Sequence, residues 1–150
     1  MKVFIDTNIF AEYIFERVQF EVVQKIFNAI KEKRFEAITS SGTFYTLAFI
    51  TEQMLKRKGI HRPQQTGEIR RILSSMLGLV HVGRLTHRGV VSGVNDGAFV
   101  DIEDSFQFRC AKENLCKVFV TINTADFKNV KDEDLEVLSP QQFFETYMAL

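Results

Sequence analysis

The sequence predicts an α/β fold, a three-layer sandwich with a mainly parallel central sheet flanked by helices. Three observations predict it. Short β-type runs alternate with longer stretches of helical periodicity, as parallel strands joined by helical crossovers do. The 150 residues suit a single domain, residues 1–150, and contain no evident linker, internal repeat or low-complexity tract. A content of 45% apolar and 25% charged residues is that of an ordinary globular chain, one that buries ~70% of its unfolded surface and folds without disulfide or metal staples.

The elements follow in order. Lys2 to Ile5 is a β-type run that ends at Asp6. Thr7 to Phe15 reads as a helix capped by Thr7 or Asn8. A second helix covers about Gln19 to Lys33, with Val22, Val23, Ile26, Phe27 and Ile30 at helical spacing. Glu36 to Thr39 is a strand. Ser40, Ser41 and Gly42 form a turn and cap a helix from Thr43 to about Lys58, which Gly59 ends and Pro63 keeps from resuming. Gln64 to Leu77 is a further helix and Leu79 to Val82 a strand. Thr86 to Asn95 is a short helix weakened by Gly89 and Gly93. Asp101 to Asn114 is a helix with acids in its first turn, where the dipole favours them. Lys117 to Thr121 and Glu136 to Leu138 complete the strands. Ser139 caps a last helix that Pro140 begins.

Composition narrows the function. The formal net charge is +0, so a polyanion partner would need a local basic patch. Cys110 and Cys116 lack metal or redox spacing and read as reduced packing residues. The apolar run after Lys2 is too short for a signal peptide or a membrane span, and the cytoplasm is the expected compartment, with no membrane association expected. The fifteen Phe residues fill the core.

Open parallel sheets place their sites at the carboxyl ends of strands, where strand order reverses. Asp6 directly follows the first strand. Asp101, Glu103 and Asp104 crowd a helix start, and Asn123 and Asp126 follow the strand that ends at Thr121. Each group also has a plain structural reading. Asp6 and Asp101 are natural helix caps, and Asn123 and Asp126 are natural turn residues. Their joint placement at strand ends favours chemistry. Two unit charges about 4 Å apart repel by roughly 4 kcal/mol at an effective dielectric near 20, so such a cluster stays ionised only beside a cation. An all-oxygen donor set suits Mg²⁺ or Mn²⁺.

The ordered motifs resemble the PIN family, in its VapC-type toxin group. Phe4-Ile5-Asp6-Thr7-Asn8 is similar to the opening motif, and Asp101-Ile102-Glu103-Asp104-Ser105-Phe106-Gln107 to the acidic helix. Val120 to Phe127 resembles the fourth motif with Asn123 in place of a usual Asp. Val137 to Phe143 resembles the closing strand and helix. The resemblance implies a metal-dependent ribonuclease with Mg²⁺ or Mn²⁺ as cofactor. Asp6 and Asp104 would be metal ligands, Asp126 would act directly or through a water, and Asn123 would offer a neutral oxygen. The resemblance also implies RNA as substrate, a cognate antitoxin protein as partner and a homodimer, although no dimer seam stands out.

One departure concerns a Glu that the family carries on the helix after the second strand. That position falls on or near Thr46, and no acid lies between Glu36 and Glu52. Asp101, one helical turn before Asp104, is expected to compensate, giving a site of Asp6, Asp101, Asp104 and Asp126. A catalytically degenerate PIN domain that binds RNA or protein is the alternative. An Asp-based phosphatase ranks last, because position 8 is Asn where that chemistry wants a second acid. For RNA, Lys56, Arg57, Arg62 and Arg70 form the expected contact surface, with Lys58, His61 and Arg71 beside them. Arg84 and Arg88 would add to a basic rim, and His81 and His87 read as structural.

Overall fold

The computed structural model describes residues Met1 to Ala149. Strands β1 (Lys2–Ile5), β2 (Glu36–Ser40), β3 (His81–Gly83), β4 (Val118–Val120) and β5 (Glu136–Leu138) form one sheet in the order β3-β2-β1-β4-β5, parallel throughout. The chain winds outward from β1 through β2 to β3, then returns to place β4 on the other side of β1. The order therefore reverses between β1 and β4, and a crevice opens above their carboxyl ends.

Two apolar layers cover the sheet, and the alternation of side chains along each strand decides which residue enters which layer. Val3 and Ile5 join Val118 and Val120 in a core with Ile9 and Phe10 of α1 (Thr7–Ile14), Val23, Ile26 and Phe27 of α2 (Phe20–Lys31), Leu47 of α3 (Ser41–Arg57) and Met76 of α4 (Gln64–Leu77). Phe143 of α7 (Pro140–Phe143) closes that layer. Phe4 and Phe119 point the other way, stacked at 5.0 Å, against Phe108, Cys110 and Ala111 of α6 (Ile102–Glu113). Both cysteines are free and buried, and burial pushes each thiol up to about 12, as packing residues require.

Three local expectations shift. Asp6 caps α1, accepting from Thr7 N at 2.8 Å, so Thr7 and Asn8 are free for other bonds. Strand β2 runs on to Ser40, whose hydroxyl caps α3 by accepting from Thr43 N at 3.2 Å. Ser41 and Gly42 are thus already helical. Strand β3 lies later than the apolar run suggested, because pairing to β2 starts at His81.

Helix α5 (His87–Val94) forms despite Gly89 and Gly93, and the glycines explain its packing. A Cβ at Gly93 would lie 2.9 Å from the Phe106 ring, and one at Gly89 2.1 Å from the Glu113 carboxylate. Their bare backbone lets α5 approach α6 closely enough for Ser105 Oγ to donate to Gly93 O at 2.7 Å. No helix among the described residues is long and apolar enough to cross a membrane.

Candidate active site

The crevice above β1 and β4 is a cleft of about 440 Å³. Asp6 sits at its floor because β1 ends there, and it is only 3% exposed. Its Oδ1 accepts from Thr7 N at 2.8 Å and Gln107 Nε2 at 3.2 Å. Its Oδ2 accepts from Thr121 Oγ1 at 2.8 Å and, more weakly, from Asn8 Nδ2 at 3.4 Å. Asn8 Oδ1 accepts from Ile122 N at 3.1 Å, which ties the ends of β1 and β4 together. Burial nevertheless outweighs these bonds and the Asp6 carboxyl is held above its usual range.

Helix α6 brings the other acids. Asp101 is its N-cap, and its Oδ1 accepts from Glu103 N at 2.8 Å and Asp104 N at 3.4 Å. That places Asp104 at the third helical position, 9% exposed, beside Asp6. Its carboxylate makes no hydrogen bond among the described residues. Burial, and then the charges of Asp6, Asp101, Asp126 and Glu103, push it up to about 7.

Of the residues expected here, Asp6, Asp101, Asp104 and Asn123 line the cleft. Asp126, in the 3₁₀ turn Thr124–Phe127, is not among the lining residues, though its charge is felt at Asp104. Thr46, on or near which the resemblance puts the family's Glu, lines the cleft. Glu52 cannot replace that Glu, since it binds Arg62 at 3.0 Å and Lys56 at 3.5 Å. Lys56, Arg57, Arg62 and Arg70 are exposed but absent from the cleft lining. Lys56 is about 15 Å along α3 from Thr46 at 1.5 Å per residue. Arg57 and Arg70 have no ion-pair partner among the described residues.

Several cleft residues escaped the sequence reading. Gln107 is 6% exposed and bonds Asp6, Thr7, Ser40 and Thr43. A polar residue between Phe106 and Phe108, three positions after Asp104, was the available signal. Glu103, part of the acidic helix start but given no role of its own by the sequence, lines the cleft with Asp101. Arg17, the one basic residue lining the cleft, is exposed in the α1–α2 connection with its guanidinium 5.3 Å from the Phe15 ring centroid.

The donor set is oxygen-only, and its crowded negative charge lacks a bonded counter-charge at Asp104. Among the described residues no three acids, histidines or cysteines converge to hold an ion by themselves. Mg²⁺ characteristically takes one or two carboxylates and completes its shell with water and substrate oxygens, so the pair Asp6 and Asp104 fits such an ion.

Comparison with known proteins bears on the family and the fold. A ribonuclease VapC1 of Aquifex aeolicus (strain VF5) is 24% identical over 151 residues, spanning 99% of this chain and 97% of that protein. The crystal structure of VapBC2 from Rickettsia felis, bound to a DNA fragment from their promoter, contains a chain of the same fold. It superposes with a TM-score of 0.67 at 13% identity, covering 93% of this chain and 98% of that one. The PIN domain family matches residues 2–125, from the first strand through the cleft residues of α6 and β4. With that match over most of its length, the chain belongs to the PIN domain family.

Proposed function

We propose that this protein is a divalent-cation-dependent endoribonuclease, the toxin of a toxin–antitoxin pair. The observation that carries this reading is Asp104, pushed to about 7 by burial and four neighbouring acids, in a cleft at the carboxyl ends of β1 and β4. Asp6 and Asp104 would hold Mg²⁺ or Mn²⁺. Asp126 is suited to act through water, and Asn123 to offer a neutral oxygen. Asp101 has one carboxylate oxygen occupied by capping, which leaves Oδ2 to compensate for Thr46. The bound cation would supply Lewis acidity, activating water and steadying charge on the phosphoryl group. Substrate and partner rest on likeness. A relative named a ribonuclease supports RNA, and a VapBC complex of the same fold supports an antitoxin.

The protein's own cations would hold the RNA. Arg17 reaches the cleft without an ion-pair partner among the described residues, the position for a phosphate contact next to the acids. The α3–α4 patch would track the backbone farther out. Reversing charge at Arg57, Arg62 and Arg70 together is expected to weaken RNA binding and flatten its salt dependence by about two in log–log slope. Arg57 and Arg70 should carry most of the loss, because Arg62 is already paired with Glu52. Unaltered retention of RNA at low salt would reject the patch.

Thr46 favours a second reading, a PIN domain that binds RNA or protein without cutting. Calorimetry with Mn²⁺ on the wild type and Asp104→Asn, beside cleavage of a mixed RNA pool, separates the two. Saturable binding and cleavage, both lost in the variant, support the nuclease. A folded protein with neither signal supports the binding module.

A further inference from the structure

The geometry points to Gln107 as the positioning residue of the cleft: its amide locks Asp6 and α6 in the mutual orientation that lets Asp6 and Asp104 share one cation. This inference rests on the cation-dependent reading above.

Gln107 is buried at the meeting point of three elements. Its two N–H groups are shared among three acceptors, Asp6 Oδ1 at 3.2 Å, Thr7 Oγ1 at 3.1 Å and Thr43 Oγ1 at 2.9 Å from Nε2. Its Oε1 accepts from Ser40 Oγ. The amide orientation is fixed by chemistry, since an ionised carboxylate only accepts and the NH₂ must face Asp6. Thr43 is itself held by Thr39 and Thr7, both at 2.9 Å. One side chain thus joins the end of β1, the β2–α3 junction and α6.

Two features go beyond ordinary core packing. Gln107 lies one helical turn after Asp104, so anchoring its amide fixes the rotation of α6 and with it where Asp104 stands relative to Asp6. Its donor is also neutral. A Lys or Arg at this place would orient Asp6 but cancel the charge a cation needs, and an acid would add a further repelling carboxylate. An amide orients Asp6 and leaves its charge intact. A residue needed only to fill the layer between Phe106 and Phe108 would do so without burying a polar group that requires four partners.

The test is Mn²⁺ binding followed by electron paramagnetic resonance, with folding checked by unfolding in EDTA. Wild type, Gln107→Met, Thr43→Val and the double variant are compared. Thr43 bonds Gln107 without touching Asp6, so Thr43→Val remains informative if Gln107→Met fails to fold. Expected results are a loss of affinity of about 10- to 100-fold for Gln107→Met, the range for residues that orient metal ligands, and a smaller loss for Thr43→Val. The double variant should lose no more than Gln107→Met alone, since Thr43 acts through Gln107. The spectrum of residual bound Mn²⁺ should change, reporting altered ligand geometry. Folded variants that bind Mn²⁺ as tightly as wild type, or losses that simply add, overturn the positioning role and leave the nuclease reading intact. A wild type that binds no Mn²⁺ overturns both.

Discussion

Replacing Asp6 with Ala should destabilise the metal-free protein by roughly 2–4 kcal/mol, whereas Asp6→Asn should cost clearly less. Ala removes the N-cap of α1 and strips an acceptor from the Thr7 backbone N–H, from Gln107 and from Thr121. Asn keeps a carbonyl oxygen for Thr7 and Gln107. Its NH₂ faces Thr121 Oγ1, which already accepts from Asn8 Nδ2 at 3.1 Å and Asn123 N at 3.2 Å, so that one bond is lost. Asn also removes a carboxyl whose charge is disfavoured by burial, and that gain offsets part of the loss. Urea unfolding in EDTA measures both. Mn²⁺ binding and RNA cleavage should vanish in both variants, because neither retains the charge. An Asn variant as unstable as Ala would mean that the negative charge, and not the acceptor geometry, holds the cleft floor together.

The second large effect is on pH dependence. The folded Asp104 carboxyl titrates at about 7, against an ordinary 3.8. Between those values the folded protein binds more protons than the unfolded chain, so stability falls as pH rises. The contribution is present below pH 4 and is lost on passing pH 7. At 1.36 kcal/mol per pH unit, and with the half-buried carboxyl partly screened by solvent, the loss is about 2 kcal/mol. Asp6, shifted in the same direction, adds to the slope. Asp104→Asn should flatten this stretch of the curve and be more stable than wild type at pH 8 in EDTA. Mn²⁺ should flatten it in the wild type by displacing the proton. Unfolding curves at pH 5, 6, 7 and 8, with EDTA and with Mn²⁺, make the comparison. Wild-type and variant stabilities that run parallel across this range would remove Asp104 as the strained group.

How much of this could be read in advance depends on the range of the interactions. Strand and helix order follows from local pattern, so Val3-Phe4-Ile5 and Val118-Phe119-Val120 reveal alternate faces of one sheet. The strand-end rule then finds Asp6, Asp104, Asp101 and Asn123 together. It does not find Gln107, whose partners Thr43 and Asp6 lie 64 and 101 positions away and become neighbours only when the layers close. Asp126 stands outside the cleft lining and reaches Asp104 only through its charge, a distinction that a position after a strand does not make. The α5 glycines misled in the opposite sense. Helix propensity counts them as weaknesses, while close approach to α6 makes them necessary.

The span of the Asp6 contacts has a consequence for timing. Its hydrogen bonds to Gln107 and Thr121 cross 101 and 115 positions. A chain emerging from the ribosome amino end first therefore presents Asp6 long before the groups that orient it exist. The cleft can form only after β4 has left the exit tunnel and inserted beside β1. The activity proposed for the cleft can therefore begin only once most of the chain has been made.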